Sequence, residues 1–245
     1  MRRFLPLFMT LILCFSACSR NRISKSMPVE EKMRIGNEYF AAEKYHKAIP
    51  YFTEVVLDRK AAFTAEAQMK LAECYFYQNK FMSARFEYEE LIRLFKKYPQ
   101  INEAYFKIGV CYYQESLSPH YTQEETILAM NAFQTFIEKF PLDDKKLEAY
   151  DYIQKCQYKL LEKTFYNGYA YYKLFDYSSA LMYFDEITSQ QLMDELDKKA
   201  LYYSARIYLT RKDEENIEKV LTKMKNRYPE SEETIEIKAR AEKLE

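Results

Sequence analysis

Histidine is the side chain best suited to proton transfer near neutral pH, and this chain of 245 residues has only two, His46 and His120, far apart in sequence. Neither belongs to an HExxH pair, and no GxSxG elbow is present. A phosphate cradle needs a run of glycines, whereas the three glycines here, Gly36, Gly109 and Gly168, are widely separated. No catalytic or metal-ligating set is expected, and no cofactor. Two kinds of chemistry remain open: acylation of a cysteine, and noncovalent recognition by the 24 tyrosines and 17 phenylalanines.

The acylation candidate is Cys18. Arg2 and Arg3 precede an apolar run, Phe4 to Phe15. Twelve residues make about 18 Å of helix, too short for a hydrocarbon core of about 30 Å, so the segment reads as a signal peptide over residues 1–17. It ends in Phe15-Ser16-Ala17-Cys18, which resembles a bacterial lipoprotein lipobox with Phe15 in place of the usual leucine. That resemblance implies cleavage before Cys18, a diacylglycerol on its thiol and an N-acyl chain; a second acyl signal makes such anchoring stable. Ser19 resembles the rule for export to the outer membrane of a Gram-negative bacterium, with the chain on the periplasmic face. Loss of Arg2 and Arg3 turns a formal charge of +0 slightly acidic, which excludes nucleic acid as a partner. Cys74, Cys111 and Cys156 are expected as buried thiols. Cys74 and Cys111 fall at equivalent places one repeat apart, beyond disulfide reach.

The glycines belong to a pattern. A small residue recurs as Gly36, Ala72, Gly109, Gly168 and Ala205, each followed three residues later by Tyr39, Tyr75, Tyr112, Tyr171 and Tyr208. Twelve residues after the small one stand Ala48, Ala84, Ala180 and Ile217, and four further on Phe52, Tyr88, Phe184 and Leu221. In the third repeat, Ala132 and Phe136 are taken as the same pair, displaced by an insertion. The pattern resembles the tetratricopeptide repeat, in which small residues let helix B cross close over helix A. The fold expected is all-α: a superhelical solenoid of about five repeats. Tyr98-Pro99, Phe140-Pro141 and Tyr228-Pro229 are read as closing three B helices.

Two irregularities shape the rest. Residues 116–126 form an insertion in repeat three, expected as a protruding loop that carries His120. The spacing between Phe136 and Gly168 predicts a continuous helix from near Asp144 to Leu174, joining the first three repeats to the last two. The expected layout is a flexible tether over 18–30, repeats one to three over 31–142, the long helix with repeats four and five over 143–231, and a capping helix over 232–245.

Lipobox, repeat number, insertion and long helix together resemble the BamD family of outer membrane protein assembly factors. "HKAIPYFTEV", "YPQINEAYFKIGVCYY" and "AMNAFQTFIEKFP" are similar to family segments in order and spacing. The resemblance implies a lipid-anchored scaffold that binds a BamA-like β-barrel protein through its POTRA domains and receives unfolded outer membrane proteins, with no covalent chemistry. Another lipoprotein built from such repeats, a secretin pilotin or a cell-wall and division coordinator, is the rival. In the repeat frame, the residue after each conserved tyrosine should face the groove: Phe40, Phe76, Tyr113, Tyr172 and Leu209. Arg206 shares that face and suits an acidic residue on the BamA-like partner. Met33 and Met69 stand where a carboxylate clamp needs lysine, so a free C-terminal aspartate is not an expected ligand.

Overall fold

The computed structural model describes residues 26–58 and 62–243, and among them eleven helices and no strand. The signal peptide and Cys18 lie outside the described residues. Five antiparallel A/B hairpins follow in chain order. These are α1 (Val29–Ala41) with α2 (Tyr45–Leu57), α3 (Thr64–Tyr77) with α4 (Phe81–Leu94), α5 (Ile101–Glu115) with α6 (Glu124–Lys139), α7 (Lys146–Lys173) with α8 (Tyr177–Ser189), and α9 (Glu195–Arg211) with α10 (Glu214–Arg227). The last helix, α11 (Glu232–Ala241), packs on α9 and α10. Each helix otherwise packs mainly on its neighbours in sequence, with lesser contacts between successive A helices, so the core is a row of small apolar clusters.

The glycines sit where helices cross. A Cβ on Gly36 would stand 2.7 Å from the Phe52 ring, on Gly109 2.8 Å from Phe133, and on Gly168 2.9 Å from Phe184. These distances are shorter than carbon atoms tolerate, so the ring of helix B fills the space the missing side chain leaves.

The crossing corrects the register of repeat three. Its ring over the glycine is Phe133, and the fully buried alanine four residues earlier is Ala129, so the pair is Ala129 and Phe133 in place of Ala132 and Phe136. The insertion therefore shrinks. The connection runs only over 116–123, because Glu124 already begins α6. Nor does the loop protrude. Gln123 is buried, and its Nε2 donates to the carbonyls of Ser118 and Tyr121 at 2.8 and 3.2 Å, which folds the loop on itself. Lys159 on α7 donates to Ser116 Oγ at 2.7 Å, and the His120 ring lies 3.8 Å from that of Tyr166. The loop is clasped to the long helix.

Four of the five A-to-B turns, all but that of repeat three, share one device. The amides of Lys44, Lys80, Asp176 and Asp213 donate to the carbonyls of Tyr39, Tyr75, Tyr171 and Tyr208, five residues back, and the residue before each adopts a left-handed conformation: Glu43, Asn79, Phe175 and Lys212, with φ of 57, 57, 61 and 53°. This is the Schellman closure, and glycine would occupy the left-handed position at less cost.

Helix α7 has 28 residues, about 42 Å, and lies within two residues of its expected bounds at each end. It carries the A-helix pattern twice. Ala149 and Cys156 repeat the spacing of Ala67 with Cys74 and of Ala104 with Cys111, all fully buried. Gln154 takes the place of the small residue there, and the pattern begins again at Gly168. Three other boundaries differ from expectation. The tether expected to reach residue 30 ends sooner, since α1 starts at Val29. Helix α4 ends at Leu94, ahead of Tyr98-Pro99, which belong to the turn. The capping helix closes at Ala241.

Candidate functional site

The candidate site is the face of the A helices, four residues beyond each small residue. Phe40, Phe76, Tyr113 and Tyr172 are each half-buried there. The structure brings every one of them against the same position of the next A helix. Lys70 Nζ stands 4.2 Å above the Phe40 ring, and Lys107 Nζ 4.1 Å above Phe76. Tyr113 meets Tyr152 edge-on at 5.1 Å, and Tyr172 meets Tyr203 at 5.0 Å. Lys70, Lys107 and Tyr203 precede their small residues by two, and Tyr152 precedes Gln154 by two. A ladder results, with one rung per junction between A helices. Leu209 departs from it, being a core side chain among Ala205, Ile217 and Met224.

The rungs differ chemically. In repeats two and three the lysines are held by carboxylates: Lys70 Nζ lies 2.9 Å from Glu73, and Lys107 lies 4.0 Å from Glu103, which also pairs with Lys145. A cation over an aromatic face contributes about 0.5–1 kcal/mol when exposed and more when desolvated. Beneath this face lies the hydroxyl of Tyr88, fully buried and without a protein hydrogen-bond partner; burial, then the charge of Glu73, drives its pKa up.

In repeats four and five the face is tyrosine. Tyr203 touches Tyr169 at 5.1 Å as well as Tyr172, and the Arg206 guanidinium lies 5.5 Å from the Tyr202 ring and 5.9 Å from that of Tyr172. Arg206 Nη1 donates to the Tyr202 hydroxyl at 3.4 Å, and that hydroxyl donates to Glu236 at 2.8 Å. Arg206 is thus held between two tyrosine rings and tied to one of their hydroxyls before any partner arrives.

What the arrangement can do is bind. The aromatic ladder supplies flat apolar contact at a regular spacing, and the side chains beside it supply both signs of charge. Nucleophilic chemistry has no support: Cys74, Cys111 and Cys156 are buried and unpaired, and burial pushes their thiols up to about 12, 12 and 11. Among the described residues no group of His, Cys, Asp or Glu side chains could hold a metal ion. Met33 and Met69 are both buried core residues.

The +4 aromatics were legible from repeat spacing. The residues that complete the ladder, Lys70, Lys107, Tyr152 and Tyr203, had a signal of the same kind, a constant offset of two before the small position. Its change of residue type from lysine to tyrosine hides it.

Models of the tetratricopeptide repeat match residues 33–79 and, separately, 66–99, 103–143 and 199–231, together more than half of the chain. This chain belongs to the tetratricopeptide repeat proteins. The matches leave out the whole of α7 and α8, where the long helix stretches the repeat spacing. Among solved structures, the chain is similar to the second tetratricopeptide domain of human RPAP3 in complex with an HSP70 peptide, at 19% identity over 53% of this chain and 94% of that one, TM-score 0.42. It is also similar to the TPR2AB domain of yeast Sti1 in its pHSP90 complex, at 14% identity over 87% and 83%, TM-score 0.47. A tetratricopeptide repeat protein from Parabacteroides merdae is similar at 15% identity over 88% and 73%, TM-score 0.38. No curated protein matches the chain in sequence.

Proposed function

We propose that this tetratricopeptide scaffold serves outer membrane β-barrel assembly, anchored by acyl chains on Cys18 to the periplasmic face of the outer membrane. In this reading the ladder of Phe40, Phe76, Tyr113 and Tyr172 receives extended segments of unfolded outer membrane proteins. Arg206, held against Tyr202 and Tyr172, meets a carboxylate on the POTRA domains of a BamA-like subunit. The single observation that supports it best is the ladder itself. Half-buried aromatic faces repeat at every A-helix junction, a layout suited to an extended chain whose side chains recur along it.

The test is to extract membranes in mild detergent, purify the chain through a C-terminal tag and identify what stays bound by mass spectrometry. A POTRA-bearing β-barrel protein in near-equal amount is expected, and Arg206→Glu should reduce its recovery severalfold. Recovery of a secretin or of cell-wall proteins without it would overturn the reading in favour of the rival lipoprotein.

A further inference from the structure

A second surface lies away from the A-helix ladder, where the ends of α4 and α6 flank the start of α5. Ile92, Ile101 and Phe140 line its apolar part, and Arg93, Lys96 and Lys139 stand beside them, with no acidic residue in the lining. Lys139 Nζ lies 5.5 Å from the Tyr105 ring, and Tyr105 in turn packs on Phe140 at 5.4 Å, so this cation rests on the apolar wall. Arg93 is engaged by Glu90 of its own helix, its Nε donating at 2.8 Å. Lys96 and Lys139 have no carboxylate partner among the described residues. Leu142, two residues past Phe140, is 96% exposed.

Cations at helix C-termini offset the helix dipole, which accounts for Arg93 and Lys139 in the last turns of α4 and α6. It does not account for Lys96, which lies beyond the end of α4, nor for the apolar floor between the two ends. We infer that this cleft docks a short extended segment of a partner protein bearing carboxylates beside leucine or phenylalanine. Charge complementarity carries the inference: cations contributed from two helix ends stand beside an apolar floor, so the matching ligand alternates an acid with a large apolar side chain. A flat anionic bilayer would meet the lysines but not the isoleucines recessed between helices.

The experiment uses the full chain and a fluorescein-labelled acidic peptide, LEEFLEEL, with its lysine counterpart LKKFLKKL, read by fluorescence anisotropy. The acidic peptide should bind and the basic one should not, and raising salt to screen exposed charges should weaken binding. Lys96→Glu with Lys139→Glu should weaken it by about fivefold or more, whereas Lys219→Glu with Lys223→Glu, an equal charge change on α10, should leave it unchanged. Should the first pair lower the melting temperature, Lys96→Gln with Lys139→Gln gives the same test without charge reversal, with a smaller loss expected. Retained affinity in both cleft variants, or equal loss in the α10 variant, would overturn the proposal. So would sedimentation with phosphatidylglycerol vesicles that disappears in the cleft variants while peptide binding persists, which would assign the lysines to a lipid surface.

Discussion

The two groups of repeats solve the same packing problem with different side chains. At the junctions among α1, α3 and α5, a lysine of one A helix covers a phenylalanine of the one before. Between α7 and α9 a tyrosine takes the lysine's place, and the C-terminal group adds a buried ion pair: Asp197 on α9, with no exposed surface, accepts from Arg227 Nη1 at 2.8 and 3.0 Å and from the Tyr228 hydroxyl at 2.6 Å. The lesson is that backbone geometry fixes where two A helices touch, while the residue type at the contact is free to vary. The N-terminal group keeps charge on its working face. The C-terminal group keeps Arg206 on that face and buries a further ion pair, Asp197 with Arg227, between α9 and α10.

The sharpest way to break that contrast is Asp197→Ala. It strands Arg227 and Tyr228 in a closed site and should cost about 3–5 kcal/mol. Hydrogen exchange should lose protection in α9, α10 and α11 first, with α1 to α6 retaining theirs; uniform loss would mean that the two groups unfold as one. A smaller effect, on the N-terminal group, is expected from Gly109→Ala, whose Cβ would meet the Phe133 ring, at about 1–3 kcal/mol of overpacking. Unchanged thermal melting would refute the corrected register of repeat three. The smallest change should be a gain. Tyr88→Phe removes a buried hydroxyl that has no protein partner, at the position filled by Phe52, Phe133 and Phe184 in other repeats, and should stabilise by up to about 1 kcal/mol in chemical denaturation. A loss of stability would show that the hydroxyl is satisfied in solution.

Much of the fold was legible because a helix crossing accepts few residue types. The five small positions, their tyrosines and the long helix could all be read from spacing. The third repeat is ambiguous in sequence for a physical reason. Ala129 with Phe133 and Ala132 with Phe136 are both alanine–phenylalanine pairs four residues apart on one helix, and only the ring that reaches Gly109 tells them apart. The inserted loop was expected to protrude because its residues are polar. Its clasp on Lys159 and Tyr166 depends on a helix more than thirty residues further along, and the local hydrogen bonds of Gln123 fold it back on itself. At the candidate groove, Phe40, Phe76, Tyr113 and Tyr172 followed from repeat phase, but the partners that cap them change chemistry between junctions and leave no single-letter signature.

Helix α7 also acts as a phase ruler. Its two A-helix frames, centred on Gln154 and Gly168, are fourteen residues apart, and at about 100° per residue this falls about 40° short of four full turns. Every residue between Gln157 and Lys163 therefore sets the angle at which repeats four and five leave the first three. Deleting one would swing the Tyr172 and Tyr203 contact round by about 100° relative to Phe40 and Phe76 while shortening the span by only about 1.5 Å. Removing seven would turn it by only about 20°. Orientation between the two halves is thus far more sensitive to this helix than distance is, and its length can change with little rotation only where the change is close to a whole number of turns.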